Sequence, residues 1–465
     1  MRYVSTRGRA EVRDFAGVLL AGLAEDGGLF VPEEWPQFAP PDWRALRGLE
    51  YGELAARVIH PFIGAAIPAE TLRCLCREAY AQFYHPAIAP LRQIETSLFA
   101  LELFHGPTLA FKDMAMQLLG RLFDYVLREH DWRITVVGAT SGDTGSAALE
   151  AFAGRDRIDI AILHPYGRVS EVQRRQMTTV AAPNVANIAI EGTFDDCQDL
   201  VKAMFADAPF RQEMRLAAVN SINWARVVAQ IPYYAYAALA LGAPDREVSF
   251  SVPTGNFGNV LAAWVARRMG LPVARLIVGS NRNDILFRFL QSNDMSVRDV
   301  EPSLSPSMDI QVSSNFERLL FELLCRNAEA TDAAIAGFRK AGRMVVPEPV
   351  WDRARTLFHG FRLNDTETAE EMRRVYQASG YLADPHTAIG IAAGRALSVK
   401  PVPTIAAATA HPTKFPDAVR RATGVTPKLP PHLGGLLEAE ECYVVLRNDL
   451  AAVQEEVRRL ARRIQ

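Results

Sequence analysis

The sequence has little cysteine, almost no excess of charge and no long apolar run, and each absence excludes a class of protein. Its five cysteines are an odd number at scattered positions, which argues against a disulfide framework. Cys74 and Cys76 have no nearby His or Cys partners at zinc-finger spacing, which argues against a structural zinc site. A formal net charge of -2 gives no electrostatic footprint for nucleic acid or an anionic membrane. No apolar run approaches the roughly 20 residues that span a bilayer, and the N-terminus lacks a signal-like apolar segment. We therefore expect a cytoplasmic protein with no metal, nucleic-acid partner or membrane partner.

The length and the apolar pattern predict an α/β protein. A chain of 465 residues is too long for one ordinary core, so two or three domains are expected. After a mainly helical N-terminal segment, short apolar runs alternate with helix patterns, which predicts parallel sheets with helices on both faces. The predicted strands are 134–137, 158–163, 248–252, 273–278 and 405–408. Ligands of such sheets bind at the carboxyl ends of strands, so the residues that follow each strand carry most information.

Lys112 is the most informative residue of the chain, because nearly all of its neighbours are apolar, small or turn-forming. Burial lowers the pKa of a lysine and makes its amine nucleophilic. Pro107 and Thr108 predict a helix start, whose positive end lowers the pKa further. Such an amine suits Schiff-base chemistry with a carbonyl cofactor. The segment by itself fits equally well a lysine that reaches water from the edge of a buried helix.

Two glycine-rich loops predict anion sites. Loop 138–145 (GATSGDTG) follows a strand and opens a helix, so that free backbone N–H groups point at one place, as a carboxylate or phosphate requires. Loop 253–259 (PTGNFGN) has the same form and suits one monophosphate. Neither loop fits a Walker or dinucleotide fingerprint. Each loop alone is also explained as a tight capped turn.

Two further segments add groups of the same chemistry. Thr409, after the last predicted strand, offers a hydroxyl to a heterocyclic nitrogen, and Lys414 is suited to an anion. Arg226, in the segment 220–226, is a forked donor for phosphate or carboxylate, although a surface arginine on a capped helix explains it equally well. An activated amine, a monophosphate cradle, a second anion site and a partner for a ring nitrogen are together what pyridoxal 5'-phosphate needs.

These segments resemble the signature segments of the threonine synthase family, in its longer microbial and fungal branch. The resemblance spans nearly the whole chain in order, and its segment around Lys112 is highly specific. The matching segments are YVSTRG (3–8), GGLFVP (27–32), HGPTLAFKDMA (105–115), ATSGDTGSAA (139–148), NSINWAR (220–226), SVPTGNFGN (251–259), SMDI (307–310), SNFER (314–318) and TAHPTKF (409–415).

The resemblance implies a type II pyridoxal-phosphate fold, similar to the tryptophan synthase beta subunit, with the cofactor between two parallel-sheet domains. The implied division is an N-terminal segment 1–95, a first α/β domain 96–240 with the Schiff-base lysine, a second α/β domain 241–430 with the cofactor phosphate loop, and a C-terminal tail 431–465. The implied reaction, a carbon–oxygen lyase reaction that ends threonine biosynthesis, converts O-phospho-L-homoserine and water to L-threonine and phosphate by γ-elimination and β-addition of water. We expect a monomer or a homodimer.

The resemblance also implies site residues. Those expected to hold the cofactor are Lys112, Asp143, Thr254, Gly255, Asn256, Phe257, Gly258, Asn259 and Thr409. Those expected to bind substrate are Thr140, Ser141, Gly142, Thr144, Asn223, Arg226 and Lys414. In this set Lys112 is the catalytic residue, and Arg226, Lys414 and Asn223 are the candidates for the substrate phosphate. Many type II relatives have Asn where this chain has Asp143, which leaves the charge of that residue open.

Three other functions fit parts of the same pattern. A threonine or serine dehydratase would use the same fold without a site for a substrate phosphate. A catalytically inactive relative that binds a metabolite would not need to keep Lys112 together with every loop. A nucleotide-binding protein would need a phosphate fingerprint that neither glycine-rich loop has.

Overall fold

The structure is a computed structural model that describes residues 1–218 and 220–462, so residues 463–465 of the predicted tail lie outside it. The strands are β1 (Tyr3–Ser5), β2 (Phe30–Pro32), β3 (Leu91–Glu95), β4 (Leu98–Glu102), β5 (Ile134–Ala139), β6 (Ile158–Pro165), β7 (Val185–Glu191), β8 (Leu216–Ala217), β9 (Val248–Pro253), β10 (Val273–Ser280), β11 (Met295–Ser296), β12 (Arg343–Met344), β13 (Phe358–Arg362), β14 (Thr404–Ala408) and β15 (Val444–Arg447). Each strand predicted from the apolar pattern is present.

The helices fill the intervals between the strands. They are α1 (Phe15–Ala21), α2 (Pro40–Arg44), α3 (Tyr51–Ile63), α4 (Ala69–Tyr80), α5 (Lys112–Glu129), α6 (Asp143–Phe152), α7 (Glu171–Thr178), α8 (Phe194–Ala206), α9 (Ala208–Met214), α10 (Trp224–Val228), α11 (Ile231–Ala240), α12 (Gly258–Arg268), α13 (Ile285–Ser292), α14 (Phe316–Leu323), α15 (Ala328–Ala341), α16 (Glu348–Leu357), α17 (Asp365–Ser379), α18 (Pro385–Leu397), α19 (Pro416–Thr423) and α20 (Leu450–Arg462). Short 3₁₀ turns occur at Gly64–Ala66, Pro306–Met308, Pro412–Lys414 and Pro431–Leu433. No helix of the described ranges is long and apolar enough to cross a membrane.

Two sheets carry the architecture, and the predicted α/β class is confirmed. The larger sheet has the order β13-β10-β9-β14-β4-β3 and is parallel except for the antiparallel edge pair β3–β4. The smaller sheet, β15-β7-β6-β5-β8, is parallel throughout. Strand β6 is buried at every position, which is why its sequence is mainly apolar, with Asp159 and His164 as buried polar exceptions.

The sheets combine segments that are far apart in the sequence. Strands β3 and β4, around the predicted boundary at residue 95, pair into the larger sheet with strands from the second half of the chain. Strand β15, from the predicted C-terminal tail, pairs with β7 of the smaller sheet. The domain limits given above stay a prediction, whereas the membership of the sheets fixes which strand ends face each other. The loops after β4, β9 and β14 leave the larger sheet, and the loop after β5 leaves the smaller one.

Buried arginine side chains hold the N-terminal segment to the rest of the molecule. Arg318 is 1% exposed; its Nε donates to the Phe30 carbonyl at 2.9 Å, its Nη2 to the Ile222 carbonyl at 2.7 Å, and its Nη1 to Asn315 Oδ1. Burial lowers the pKa of Arg318 to about 9, which still leaves it charged at neutral pH. One side chain therefore joins the N-terminal segment, the segment that contains Arg226, and α14.

We expect Arg318→Met to lower the free energy of unfolding by about 3 kcal/mol, because two buried carbonyls lose their donor while the apolar volume is kept. Urea unfolding followed by circular dichroism measures the change. Arg326→Met is the matched control, since Arg326 also donates to an N-terminal carbonyl, that of Pro32, at 2.6 Å, but its side chain is 27% exposed. A loss no larger than that of the control would show that Arg318 is dispensable for stability.

Candidate active site

Lys112 is the first residue of α5, so the expected helix start at Pro107 and Thr108 is wrong. A side chain explains the difference: Asp113 accepts from the backbone N–H of Thr108 at 2.8 Å and from its hydroxyl at 2.7 Å. These bonds close residues 106–111 into a turn before the helix begins. A Cβ on Gly106 would lie 2.6 Å from Asp113 Oδ2, so only glycine fits there. The positive end of the helix dipole consequently acts directly at Lys112.

The amine of Lys112 is largely shielded from water and faces one carboxylate. The side chain is 12% exposed, and Nζ lies 3.3 Å from Asp143 Oδ2. Burial lowers the pKa of Lys112; Asp143 opposes this effect, and the charges of Lys414 and Arg226 add to it. The direction agrees with the sequence-based expectation of a nucleophilic amine.

Asp143, at the start of α6, connects two lysines. Its Oδ1 lies 2.8 Å from Lys414 Nζ and accepts from Gln173 Nε2 at 2.8 Å. Burial alone would raise the pKa of Asp143, but the charges of Lys414 and Lys112 and these hydrogen bonds hold it well below its usual range. The carboxyl is therefore ionised, which answers the question that the sequence left open.

The loop after β5 is closed by Thr140, which is buried. Its hydroxyl accepts from the backbone N–H groups of Gly142 at 3.0 Å and Gly145 at 2.9 Å. Gly142 has φ +146°, and a Cβ there would lie 2.7 Å from Gln173 Cδ, so glycine is required. Ser141 is exposed and Thr144 half-buried at the mouth of the loop. The loop is consequently a rigid turn whose open side offers hydroxyl and backbone donors to an anion.

The loop after β9 is a tight turn that packs against the backbone of Ser307. The Thr254 hydroxyl donates to the Val252 carbonyl at 2.7 Å, which fixes the turn, and Phe257 has a left-handed backbone with φ +62°. A Cβ on Gly255 would lie 2.6 Å from the Ser307 carbonyl oxygen. The loop ends at Gly258, where α12 begins, and Asn256 is exposed at its tip. Backbone N–H groups at the start of an 11-residue helix suit a phosphate.

Asn259, in the first turn of α12, offers an unused donor near this loop. Its Oδ1 accepts from the hydroxyl of Tyr234 at 2.6 Å and from that of Tyr233, whereas its buried Nδ2 has no hydrogen-bond partner among the described residues. The loop's backbone donors, this free amide and the Lys112 amine together fit a phosphate-bearing aldehyde such as pyridoxal 5'-phosphate.

Thr409 lies directly beside the Lys112 segment. Its carbonyl accepts from the backbone N–H of Phe111 at 2.8 Å, and its own N–H donates to the Thr387 hydroxyl at 3.2 Å. That hydroxyl donates to the fully buried carboxylate of Asp384 at 2.6 Å. The structure thus fixes the position of Thr409 through residues at the start of α18.

Asn223 and Arg226, both in the segment 220–226, have different surroundings. Asn223 caps α10: its Oδ1 accepts from the backbone N–H of Ala225 at 3.0 Å, and its Nδ2 donates to the Leu19 carbonyl at 2.9 Å. Its role in binding substrate stays a prediction. Arg226 is buried, and its charge acts on Lys112. Burial lowers the pKa of Arg226 to about 10, so it remains a cation at neutral pH.

Sequence reasoning missed four residues that hold the site together. Gln173 and Gln176 lie three positions apart on α7, and their side chains contact Asp143 and Lys414 respectively. Asn315 donates from Nδ2 to the carbonyls of Ser221 and Asn256, both at 3.0 Å, and so bridges two of the predicted loops. Asp113 closes the turn before Lys112. Asn315 and Asp113 lie in segments that match the family, but the segments do not show what these side chains contact, and the spacing of the two glutamines is common on any helix. Within the described part of the chain, no group of three or more His, Cys, Asp or Glu side chains is arranged to hold a metal.

Comparison with known proteins gives three family models and several close relatives. The models are the threonine synthase N terminus over residues 2–80, the pyridoxal-phosphate dependent enzyme over residues 84–344, and the C-terminal part of threonine synthase over residues 387–457. A threonine synthase of Pseudomonas aeruginosa is 55% identical to this chain, over 98% of this chain and 97% of that protein.

Solved structures agree with these matches. The crystal structure of threonine synthase from Brucella melitensis, which has pyridoxal phosphate bound, superposes with a TM-score of 0.98 at 53% identity and covers 99% of this chain and 100% of its own. The crystal structure of the yeast threonine synthase superposes with a TM-score of 0.93 at 37% identity and covers 99% of both chains.

Proposed function

This chain belongs to the threonine synthase family, and we infer that it converts O-phospho-L-homoserine and water to L-threonine and phosphate with pyridoxal 5'-phosphate as cofactor. The observation that carries the assignment of residues is the position of the Lys112 amine, which is shielded from water and faces an ionised carboxylate between the two sheets. We propose a cytoplasmic enzyme that acts as a monomer or a homodimer.

We propose that Lys112 holds the cofactor covalently and that the loop 254–259 holds its phosphate. The loop has free backbone donors and the unused amide of Asn259, and it is braced by Asn315. The hydroxyl of Thr409 is proposed to form a hydrogen bond with the ring nitrogen of the cofactor, because this hydroxyl is neutral and the Thr409 backbone is fixed beside Phe111. A neutral partner leaves such a nitrogen largely unprotonated, which disfavours transamination.

The remaining residues act on the substrate. The loop 140–144 is proposed to bind the substrate carboxylate through its backbone N–H groups and hydroxyls, and Arg226 to bind the substrate phosphate as a forked donor. The bound cofactor supplies a conjugated system that acidifies the Cα and Cβ protons of an attached amino acid. Burial lowers the pKa of Lys112 and so favours the neutral form of its amine, which is proposed to remove the Cα proton as a general base.

We expect the purified protein, incubated with O-phospho-L-homoserine, to release phosphate and L-threonine in equal amounts. Phosphate is measured colorimetrically and threonine by chromatography. The control reaction supplies L-threonine or L-serine alone, which a dehydratase would convert to a 2-oxo acid and ammonia. Ammonia from the control without threonine from phosphohomoserine would replace the proposal by the dehydratase alternative.

A further inference from the structure

Lys414 uses every donor of its ammonium group on protein oxygen atoms. An ammonium has three N–H donors. In this structure Nζ lies 2.7 Å from the Thr108 carbonyl, 2.9 Å from Gln176 Oε1 and 2.8 Å from Asp143 Oδ1. The side chain is 0% exposed. Lys414 is thus a buried cation whose hydrogen bonds are already complete.

The three acceptors belong to three separate elements. Thr108 is in the turn before Lys112, Gln176 is on α7, and Asp143 begins α6. Gln176 also donates from Nε2 to the same Thr108 carbonyl at 3.1 Å, so the cluster is closed on itself. A substrate phosphate could reach Nζ only by displacing one of these oxygens, and displacing Asp143 would leave an ionised carboxylate in a buried place beside a second anion.

We propose that Lys414 is a positioning residue that holds the Asp143 carboxylate opposite the Lys112 amine, and that it does not bind the substrate phosphate. This inference rests on the proposed role of Lys112 and departs from the role that the sequence predicts for Lys414. Phosphate recognition is then left to Arg226, together with the donors of the loops.

The charges around Lys112 determine in which direction its pKa should change when Lys414 is replaced. Asp143, Lys414 and Arg226 are the charged groups that act on Lys112, and Asp113, whose pKa burial raises to about 6, feels the charge of Lys414. Removing the charge at position 414 takes away a repulsion on the Lys112 ammonium and frees Asp143 to attract it. The charged form of Lys112 gains on both counts, so its pKa rises.

The test is Lys414→Met, with Lys414→Arg as the control that keeps the charge. In the protein freed of cofactor, the pH dependence of Lys112 acetylation by acetic anhydride, followed by peptide mass spectrometry, reports the pKa of that amine. We expect Lys414→Met to raise the midpoint by about one pH unit or more. We expect the midpoint in Lys414→Arg to lie close to that of the wild-type protein. The KM for O-phospho-L-homoserine and inhibition by inorganic phosphate should change less than about threefold, while kcat falls.

An unchanged Lys112 midpoint, together with a KM raised tenfold or more and lost inhibition by phosphate, would overturn the proposal and make Lys414 a phosphate ligand. If Lys414→Met does not fold, Lys414→Gln replaces it, since this change also removes the positive charge but keeps a polar side chain that can donate to the buried oxygen atoms. The expected result is again a raised midpoint with unchanged phosphate inhibition, and the reverse pattern again overturns the proposal. Absence of any bound cofactor in the wild-type protein would instead refute the proposed function. The two failures can be distinguished because the acetylation measurement does not use cofactor.

Discussion

Lys112→Ala is expected to abolish covalent attachment of the cofactor and to reduce turnover of O-phospho-L-homoserine by at least ~10³-fold, because this one amine is proposed both as attachment point and as general base. The purified wild-type protein should show a visible absorption band, and borohydride should reduce the linkage and leave the cofactor on the peptide that contains residue 112. The variant should show neither, although some cofactor can still bind through the phosphate loop.

Lys202→Ala is the control for the loss of a lysine, since Lys202 is 71% exposed and pairs with a neighbouring surface aspartate, Asp199. It should keep the visible band, the labelled peptide and the activity of the wild type. A colourless wild-type protein, or a borohydride-labelled peptide elsewhere in the chain, would remove Lys112 from its assigned role.

Arg226→Ala is expected to lower kcat/KM for O-phospho-L-homoserine by about 10²-fold or more, while cofactor attachment at Lys112 is unchanged. The physical reason is that truncating one partner of a buried charge pair costs about 2–5 kcal/mol, and the partner proposed for Arg226 is the substrate phosphate. Steady-state kinetics and the visible absorption band, measured on the same preparation, separate the two effects.

Arg226→Lys is the informative companion variant, because it keeps a positive charge but not the forked pair of donors. Its kcat/KM should lie between those of the wild type and the alanine variant. Equal loss of cofactor attachment and turnover in Arg226→Ala would instead mean that Arg226 supports the cofactor site or the local fold. The assignment of the substrate phosphate to this residue would then be withdrawn.

Local chemistry explains why much of the fold and the site was predictable from the sequence. Strands such as β6 are buried on both faces, so they are mainly apolar, and parallel strands bring their carboxyl ends to one edge. Loops 138–145 and 253–259 need glycine where the chain turns sharply, as at Gly142, and that requirement is written in the sequence itself. The family resemblance then joined these local features into one function.

The errors and omissions share a different physical origin. The helix containing Lys112 begins later than Pro107 suggested, because the Asp113 carboxylate captures the turn that precedes it. Nothing in the local pattern around residue 107 distinguishes a capped helix from a turn closed by a later side chain. Gln173 was passed over for the same reason, since its importance comes from its contact with Asp143.

The sequence by itself determined the class of fold and predicted the amine and the loops proposed for the site, because strand burial, glycine turns and the lysine's apolar neighbours are local properties. Only the tertiary structure decided the partners of Lys414, which is bonded to a carbonyl 306 positions away and to a glutamine 238 positions away. It also decided that Asp143 is ionised, since that charge depends on two lysines that follow strands β4 and β14 of the larger sheet, whereas Asp143 follows β5 of the smaller one. Hydrogen bonds and charges between distant segments depend on how whole elements pack, and no local pattern encodes that packing.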